Sequence, residues 1–157
     1  MRRKDREITD SARIDAVIRG CDCCRLGFCD AGEVYILPLN FGYENREGKR
    51  TFYFHSAREG RKIALIAGKP AVGFELDRGY QLVPGDTACQ YGARFQSIIG
   101  TGRVSFVEED AERRMALASL MRQATGREDS WEFSDAMLRS VCVYKLEVDT
   151  ISCKEHE

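Results

Sequence analysis

Phe52-Tyr53-Phe54-His55-Ser56-Ala57-Arg58-Glu59-Gly60-Arg61-Lys62 is the stretch on which the reading of this chain turns. An aromatic, β-favouring run ends in small polar residues. The apolar segment Ile63 to Ala67, stopped by Gly68, then reads as a short buried helix. Arg61 and Lys62 fall in the first turn of that helix, where free N–H groups already carry partial positive charge. Two cations there are electrostatically disfavoured unless an anion lies between them, and a phosphate would satisfy both. Ser56 offers a hydroxyl donor, Gly60 permits close approach of backbone, and Arg61 or Lys62 offers charge-assisted bonds. The same charges also fit the solvated face of a short helix, so the segment alone leaves both readings open.

On the N-terminal side, Thr9 to Arg19 has Ile14, Val17 and Ile18 at helical spacing, Thr9 or Asp10 as cap and Gly20 as stop. Arg25 to Cys29 and Val34 to Phe41 are β-favouring runs joined by Asp30-Ala31-Gly32-Glu33, which predicts a hairpin. The polar turn Glu44 to Lys49 predicts that the strand Thr51 to Phe54 returns beside Val34 to Phe41. On the C-terminal side, Ala71 to Leu76 and Phe95 to Val107 read as strands joined by a loop over Arg78 to Gly92, the second bent at Gly100 and Gly102. A helix from Glu108 to Gln123 stops at Thr125-Gly126, a shorter one spans Ser134 to Arg139, and Val141 to Val148 is the last strand. The expectation is a mainly β, α+β fold, a small barrel or α+β domain of about six strands with a few helices, forming one domain over 1–157. Residues 1–20 are its N-terminal helix region and 150–157 a C-terminal tail.

The chain has 157 residues, enough for a core without disulfide or metal staples. Its 24 basic and 25 acidic residues give no field that would draw in nucleic acid or an anionic membrane surface. Apolar runs such as Ile63 to Ala67 are far too short to span a bilayer, and Met1-Arg2-Arg3-Lys4-Asp5 lacks the apolar core of a signal peptide, so a cytoplasmic protein is expected. Seven cysteines, four of them at Cys21, Cys23, Cys24 and Cys29, do not form a disulfide framework in that compartment. Zinc is the alternative, but Cys21-Asp22-Cys23-Cys24 has no second knuckle, and no metal is expected.

Val34-Tyr35-Ile36-Leu37-Pro38-Leu39-Asn40-Phe41-Gly42-Tyr43, then Thr51 to Ala57 and Gly60-Arg61-Lys62, resemble the nitroimidazole-resistance branch of the pyridoxamine-phosphate-oxidase-like flavoproteins. Pro70-Ala71-Val72-Gly73-Phe74-Glu75 resembles that family's next strand, with Lys69-Pro70 where an Asn-Pro pair is common. Tyr91 to Gly102 resembles its long strand, and the likeness runs from about Arg6 to Val148. The resemblance implies a split β-barrel homodimer with FMN between the subunits. His55, Ser56, Ala57, Arg61 and Lys62 would surround the phosphate and ribityl chain, Pro38, Leu39, Asn40 and Phe41 would run beside the ring, and Ser97 would reach in from the long strand.

It also implies an FMN-dependent reductase of nitro-aromatic or similar small acceptors, fed by a transiently docking reductant such as NADH or NADPH, since no G-x-G-x-x-G marks a dinucleotide domain. A non-catalytic FMN storage or sensor module is the alternative. A true pyridoxamine-phosphate oxidase is disfavoured by the lack of a second basic cluster, and a haem or deazaflavin binder by the phosphate-suited neighbours of His55. His55, the only histidine outside the tail, is either a strand-end structural residue, a donor to the cofactor, or a proton source beside it. Asn40, Tyr43 and Tyr91 are weaker substrate candidates, and Trp131 reads as a core or dimer-contact residue.

Overall fold

The computed structural model describes residues 3–68 and 70–156; the Lys69 position and the first two residues of the chain, on which parts of the reading above rest, lie outside the described residues. After a 3₁₀ turn at Lys4–Arg6 come β1 (Glu7–Ile8), α1 (Ser11–Arg19), β2 (Cys24–Asp30), β3 (Glu33–Leu39), β4 (Gly42–Arg46) and β5 (Lys49–Ser56). Then follow α2 (Arg61–Ala67), β6 (Ala71–Val83), a 3₁₀ turn at Ala88–Gln90, β7 (Gly92–Phe106), α3 (Asp110–Thr125), α4 (Asp135–Ser140) and β8 (Cys142–His156). All strand pairs are antiparallel, in the order β3-β2-β6-β7-β8-β5-β4, with β1 added to the far end of β8.

The two ends of that path are consecutive in sequence. Only Asn40 and Phe41 separate β3 from β4, and three peptide units reach at most about 11 Å. The sheet therefore curls until its edges approach, which is the split β-barrel. The curl has identifiable hinges. Where β7 crosses β8 the register slips between Thr101 and Gly102. A Cβ on Gly100 would lie 2.3 Å from the Thr150 carbonyl, and one on Gly102 2.3 Å from that of Glu147, so only glycine fits this bend. Both short hairpins turn on a left-handed pair, Ala31-Gly32 (φ 51° and 92°) and Glu47-Gly48 (φ 53° and 86°), whose twist matches paired strands.

Four expectations need correction. The run Val34 to Phe41 is not one strand, and Thr51 to Phe54 does not return beside it; β5 pairs with β4 and β8 instead. Phe41 leaves the sheet because its side chain turns into the core, 1 % exposed and 5.4 Å from the Phe52 ring. The supposed loop Arg78 to Gly92 is mostly a ribbon: β6 runs on to Val83 and β7 begins at Gly92, with Gly79 (φ 66°) at a register shift rather than a turn. The supposed tail is strand as well, since β8 reaches His156 and pairs with both β7 and β1.

The interior is built from alternate residues of the strands, with Phe52 at its centre against Phe41, Tyr43 and Phe74 at ring separations of 5.2–5.4 Å. A second cluster, Tyr53, Val107, Leu117, Leu138 and Val143 among others, lies beneath α3 and α4 on the other face of β5 and β8. One polar network fastens α1 to the β4–β5 hairpin. Asp15 accepts from Tyr43 Oη (2.7 Å), Asn45 Nδ2 (2.7 Å) and Arg50 Nε (2.9 Å), while Arg50 also donates to the Ser11 hydroxyl at 2.7 Å.

Burial raises the Asp15 pKa, but those three donors outweigh it and leave the carboxyl below its ordinary value of 3.8. Because the folded pKa is depressed, this stabilisation is present at neutral pH and is lost as pH falls through the folded value. Asp15→Asn is expected to cost about 1–3 kcal/mol at pH 7, where it removes one charged acceptor from three donors. It should also flatten the acid limb of stability. Urea unfolding at pH 7 and pH 3 checks both, and an unchanged acid limb contradicts the assignment.

Candidate functional site

The end of β5 and the start of α2 meet β8. Ser56 pairs with Cys142 and His55 with Val143, so the alternation of the strand sends them to opposite faces. His55 is exposed, on the face that carries Val143 and the α3 cluster. Ser56 shares the interior-facing side with Phe54, Cys142 and Tyr144. Tyr144 is fully buried and its hydroxyl has no hydrogen-bond partner among the described residues. Its polar neighbour Ser56 donates instead to the Ala57 carbonyl at 2.8 Å. An unpaired buried hydroxyl beside a strand-to-helix junction marks a place where polar satisfaction is incomplete.

Next to this junction is a cleft of about 410 Å³, lined by Arg58, Ile63, Phe106, Val107, Glu108, Arg113, Val141, Cys142 and Val143. Arg58 Nε donates to the Arg139 carbonyl at 2.8 Å, and Arg113 bridges Asp110 and the carbonyls of Leu138 and Val141, which fixes α4 over the cleft. Burial pushes the Cys142 thiol above its ordinary pKa, so it sits there as a neutral group. Arg61 leans the other way: its guanidinium reaches the β2–β3 turn, 2.8 Å from Asp30 and 3.4 Å from Glu33, and lies 4.8 Å from the centre of the Tyr35 ring. Ion pairs as exposed as these contribute little and exchange readily for a stronger partner.

A strand that delivers Ser56, followed by cations at the mouth of a helix and a cleft with both apolar and charged walls, has the chemistry of a phosphate-anchored cofactor site. The model of the family described as pyridoxamine 5′-phosphate oxidase matches residues 10–155. This chain belongs to the pyridoxamine 5′-phosphate oxidase family. Within it, the chain is 37 % identical to a candidate 5-nitroimidazole antibiotic resistance protein from Bacteroides thetaiotaomicron, covering 95 % of this chain and 86 % of that one with a TM-score of 0.80. That likeness puts it in the nitroimidazole-resistance branch. The fold is shared with the flavocytochrome Anf3 of Azotobacter vinelandii (18 % identity, 100 % and 72 % covered, TM-score 0.79). It is shared too with an FAD- and haem-binding protein of Mycobacterium smegmatis (17 % identity, 97 % and 74 % covered, TM-score 0.81). No curated protein matches the sequence.

In this member of the oxidase family the remaining expected residues do not gather at the junction. Pro38 is exposed on the edge strand β3, Leu39 is half-buried against the core, and Asn40 and Phe41 line a separate cleft of about 190 Å³ with Asp22 and Gln123. With its ring in the core, Phe41 has only backbone to offer. Ser97 pairs with Lys154, at the opposite end of β8 from the Cys142 partner of Ser56, roughly 40 Å of extended chain away.

The cysteines divide by burial. Cys21 is buried and its thiol is pushed up to about 12; Cys24 is buried and raised further, Cys23 is half-buried and Cys29 exposed. Among the described residues no three of His, Cys, Asp or Glu converge as metal ligands do. His156, assigned above to a tail, is held in β8 with Nδ1 2.6 Å from the Ala93 carbonyl and its ring 6.0 Å from that of Phe95. The contact residues expected from the sequence leave out Arg58, although it lies inside the basic stretch Arg58 to Lys62 that marked the junction.

Proposed function

We propose that the chain is an FMN-binding flavoprotein, working as a homodimer, that passes electrons from reduced flavin to a nitro-aromatic or similar small acceptor. The observation that carries this is the β5–α2 junction: Ser56 beside the unpaired Tyr144 hydroxyl, with Arg61 and Lys62 opening the helix and Arg58 in the adjoining cleft. Those residues fit a phosphate. In this reading Ser56, Arg61 and Lys62 hold the phosphate, His55 and Ala57 lie along the ribityl chain, and backbone of Pro38, Leu39, Asn40 and Phe41 runs beside the ring. Bound flavin would supply the hydride and electron chemistry. The chain's own part is to anchor, orient and shield it, and His55, exposed and without a hydrogen-bond partner among the described residues, is free to donate a proton at its ring nitrogen.

A homodimer is supported by two features. Ser97 and Ser56 pair with opposite ends of β8, so a second copy is the natural source of a Ser97 beside the junction. The outer face of the sheet also carries a row of small residues, Gly27, Gly73, Thr101 and Thr150, with Val34, Ile36 and Ile99 exposed near it at 75, 62 and 60 %. Ile36→Glu together with Ile99→Glu is expected to convert a dimer to a monomer at micromolar concentration. Sedimentation velocity checks it, and an unchanged dimer places the interface elsewhere.

Among the described residues no helix is long and apolar enough to cross a membrane, and a cytoplasmic location belongs to the same proposal. The reductase reading is tested by mixing flavin-loaded protein anaerobically with NADH or NADPH and then with a nitroimidazole. Bleaching on the first addition and reoxidation on the second are expected. A flavin that stays oxidised, or once reduced does not pass its electrons on, assigns the chain to storage or sensing.

A further inference from the structure

Three tyrosines have their rings buried in the sheet, and two of them give their hydroxyls to carboxylates: Tyr43 donates to Asp15 at 2.7 Å and Tyr53 to Glu112 at 3.2 Å. Tyr144 does not. It is fully buried, and its hydroxyl has no hydrogen-bond partner among the described residues. An unpaired buried hydroxyl costs free energy that a phenylalanine in the same place would avoid. Packing alone would be served as well by a phenyl ring, so the oxygen needs another reason.

The ring is held in place. Tyr144 lies opposite Phe54 on β5 and Phe106 on β7, and it stacks on the Phe54 ring with centres 5.4 Å apart and planes at 22°. Cys142 stands opposite Ser56, which makes Ser56 the same-face diagonal neighbour of Tyr144, within reach of a tyrosine hydroxyl. The polar groups around that hydroxyl are Ser56, the thiols of Cys142 and Cys24, and the Tyr35 phenol. Burial raises the pKa of Tyr144 and of both thiols, so all three keep their protons, and thiols accept hydrogen bonds weakly. Ser56 is the better acceptor. Its one hydrogen goes to the Ala57 carbonyl at 2.8 Å, which leaves lone pairs on its oxygen. Ala57 is exposed, so water can replace Ser56 at that carbonyl.

We propose that Tyr144 is a positioning residue for the cofactor phosphate: its hydroxyl donates to Ser56 Oγ and turns the Ser56 hydrogen away from the Ala57 carbonyl and onto a phosphate oxygen. This rests on the flavin-phosphate reading of the β5–α2 junction. Each hydroxyl keeps its own hydrogen and only changes the acceptor it points at. A chain of donors that ends on an anion is polarised along its length, and more strongly inside the protein than in water. The cost of the unpaired hydroxyl therefore belongs to the flavin-free protein and is offset when the phosphate is bound. Tyr144 touches no part of the flavin and acts through Ser56.

The test is titration of FMN and of riboflavin, followed by flavin fluorescence, into the full chain, Tyr144→Phe, Ser56→Ala and the double variant, with thermal unfolding of each flavin-free protein. Tyr144→Phe is expected to bind FMN about tenfold more weakly and riboflavin unchanged, the effect of one hydrogen bond made only when a phosphate is present. In the Ser56→Ala background it should cause no further loss of FMN affinity. Flavin-free Tyr144→Phe should unfold at the temperature of the parent or above it, whereas Tyr43→Phe, which breaks the bond to Asp15, should unfold below it. A parent that prefers FMN, with the whole preference kept in Tyr144→Phe, overturns the proposal and leaves the phosphate site standing. So does an equal loss for both flavins, a loss that persists in Ser56→Ala, or a lowered unfolding temperature of flavin-free Tyr144→Phe, since the hydroxyl is then structural or independent of Ser56. A parent that binds the two flavins equally, or neither, overturns the junction reading and the role of Tyr144 with it.

Discussion

Replacing Arg61 and Lys62 together by Ala is expected to weaken FMN binding by about a hundredfold or more, because bonds from a cation to a phosphate are roughly twice as strong as neutral ones and two are removed at once. The starting state sharpens the expectation. Arg61 spends the flavin-free state on Asp30 and Glu33, and its side chain is about half exposed, so releasing it to a phosphate costs little. The single variants should rank below the double. If Arg61 were held at the β2–β3 turn when flavin is bound, Arg61→Ala alone would leave affinity unchanged and Lys62→Ala would carry the whole loss. Thermal unfolding of the flavin-free double variant should stay close to that of the parent, since Arg61 is exposed and Lys62 only partly buried. Unchanged FMN affinity in the double variant refutes the phosphate assignment.

The second large effect is on stability. Phe52→Ala is expected to cost about 3–5 kcal/mol, the range for emptying a buried phenyl site. Phe52 is fully buried and its ring touches those of Phe41, Tyr43 and Phe74, three different strands or connections, so no single neighbour can collapse into the void. For a chain of this length that loss corresponds to a fall in Tm of roughly 10 °C. Phe52→Leu, which keeps much of the volume, should cost less than about half as much. Calorimetry of the flavin-free protein measures both. Because Phe52 lies on the strand that ends in Ser56, the Ala variant should also hold FMN less tightly, whereas Arg61 and Lys62 act on affinity alone.

Much of this architecture was legible locally. The caps of α1 and α3, the two tight hairpins and the bend at Gly100 and Gly102 follow from residues that have few other conformations open to them. What could not be read has a common cause. From Arg78 to Val83 the β6–β7 ribbon is largely exposed, so the period-two burial signal of a strand vanishes and glycine and proline dominate the reading. The far half of β8 looks like a polar tail because Asp149 and Thr150 are exposed and only Cys153 is fully buried there; its strand state is imposed by β7 and β1. The break between β3 and β4 is hidden in an apolar run, since Phe41 is apolar whether it continues a strand or dives into the core.

For the site, the junction itself was readable as a change of period from strand to helix. Its partners were not. The pairing of Arg61 with Asp30 and Glu33, the unpaired hydroxyl of Tyr144 and the approach of Arg113 to the cleft all join residues distant in sequence. Nor could the sequence show that Ser56 and Ser97 pair with opposite ends of β8.

The central claim is that His55 to Lys62 anchors a flavin phosphate, and the most direct measurement is the visible absorption spectrum of the purified chain before and after addition of FMN, compared with added riboflavin, which lacks the phosphate. The account predicts a bound flavin spectrum, with FMN held at least about a hundredfold more tightly than riboflavin. A colourless protein that takes up neither, or one that binds the two equally, contradicts it.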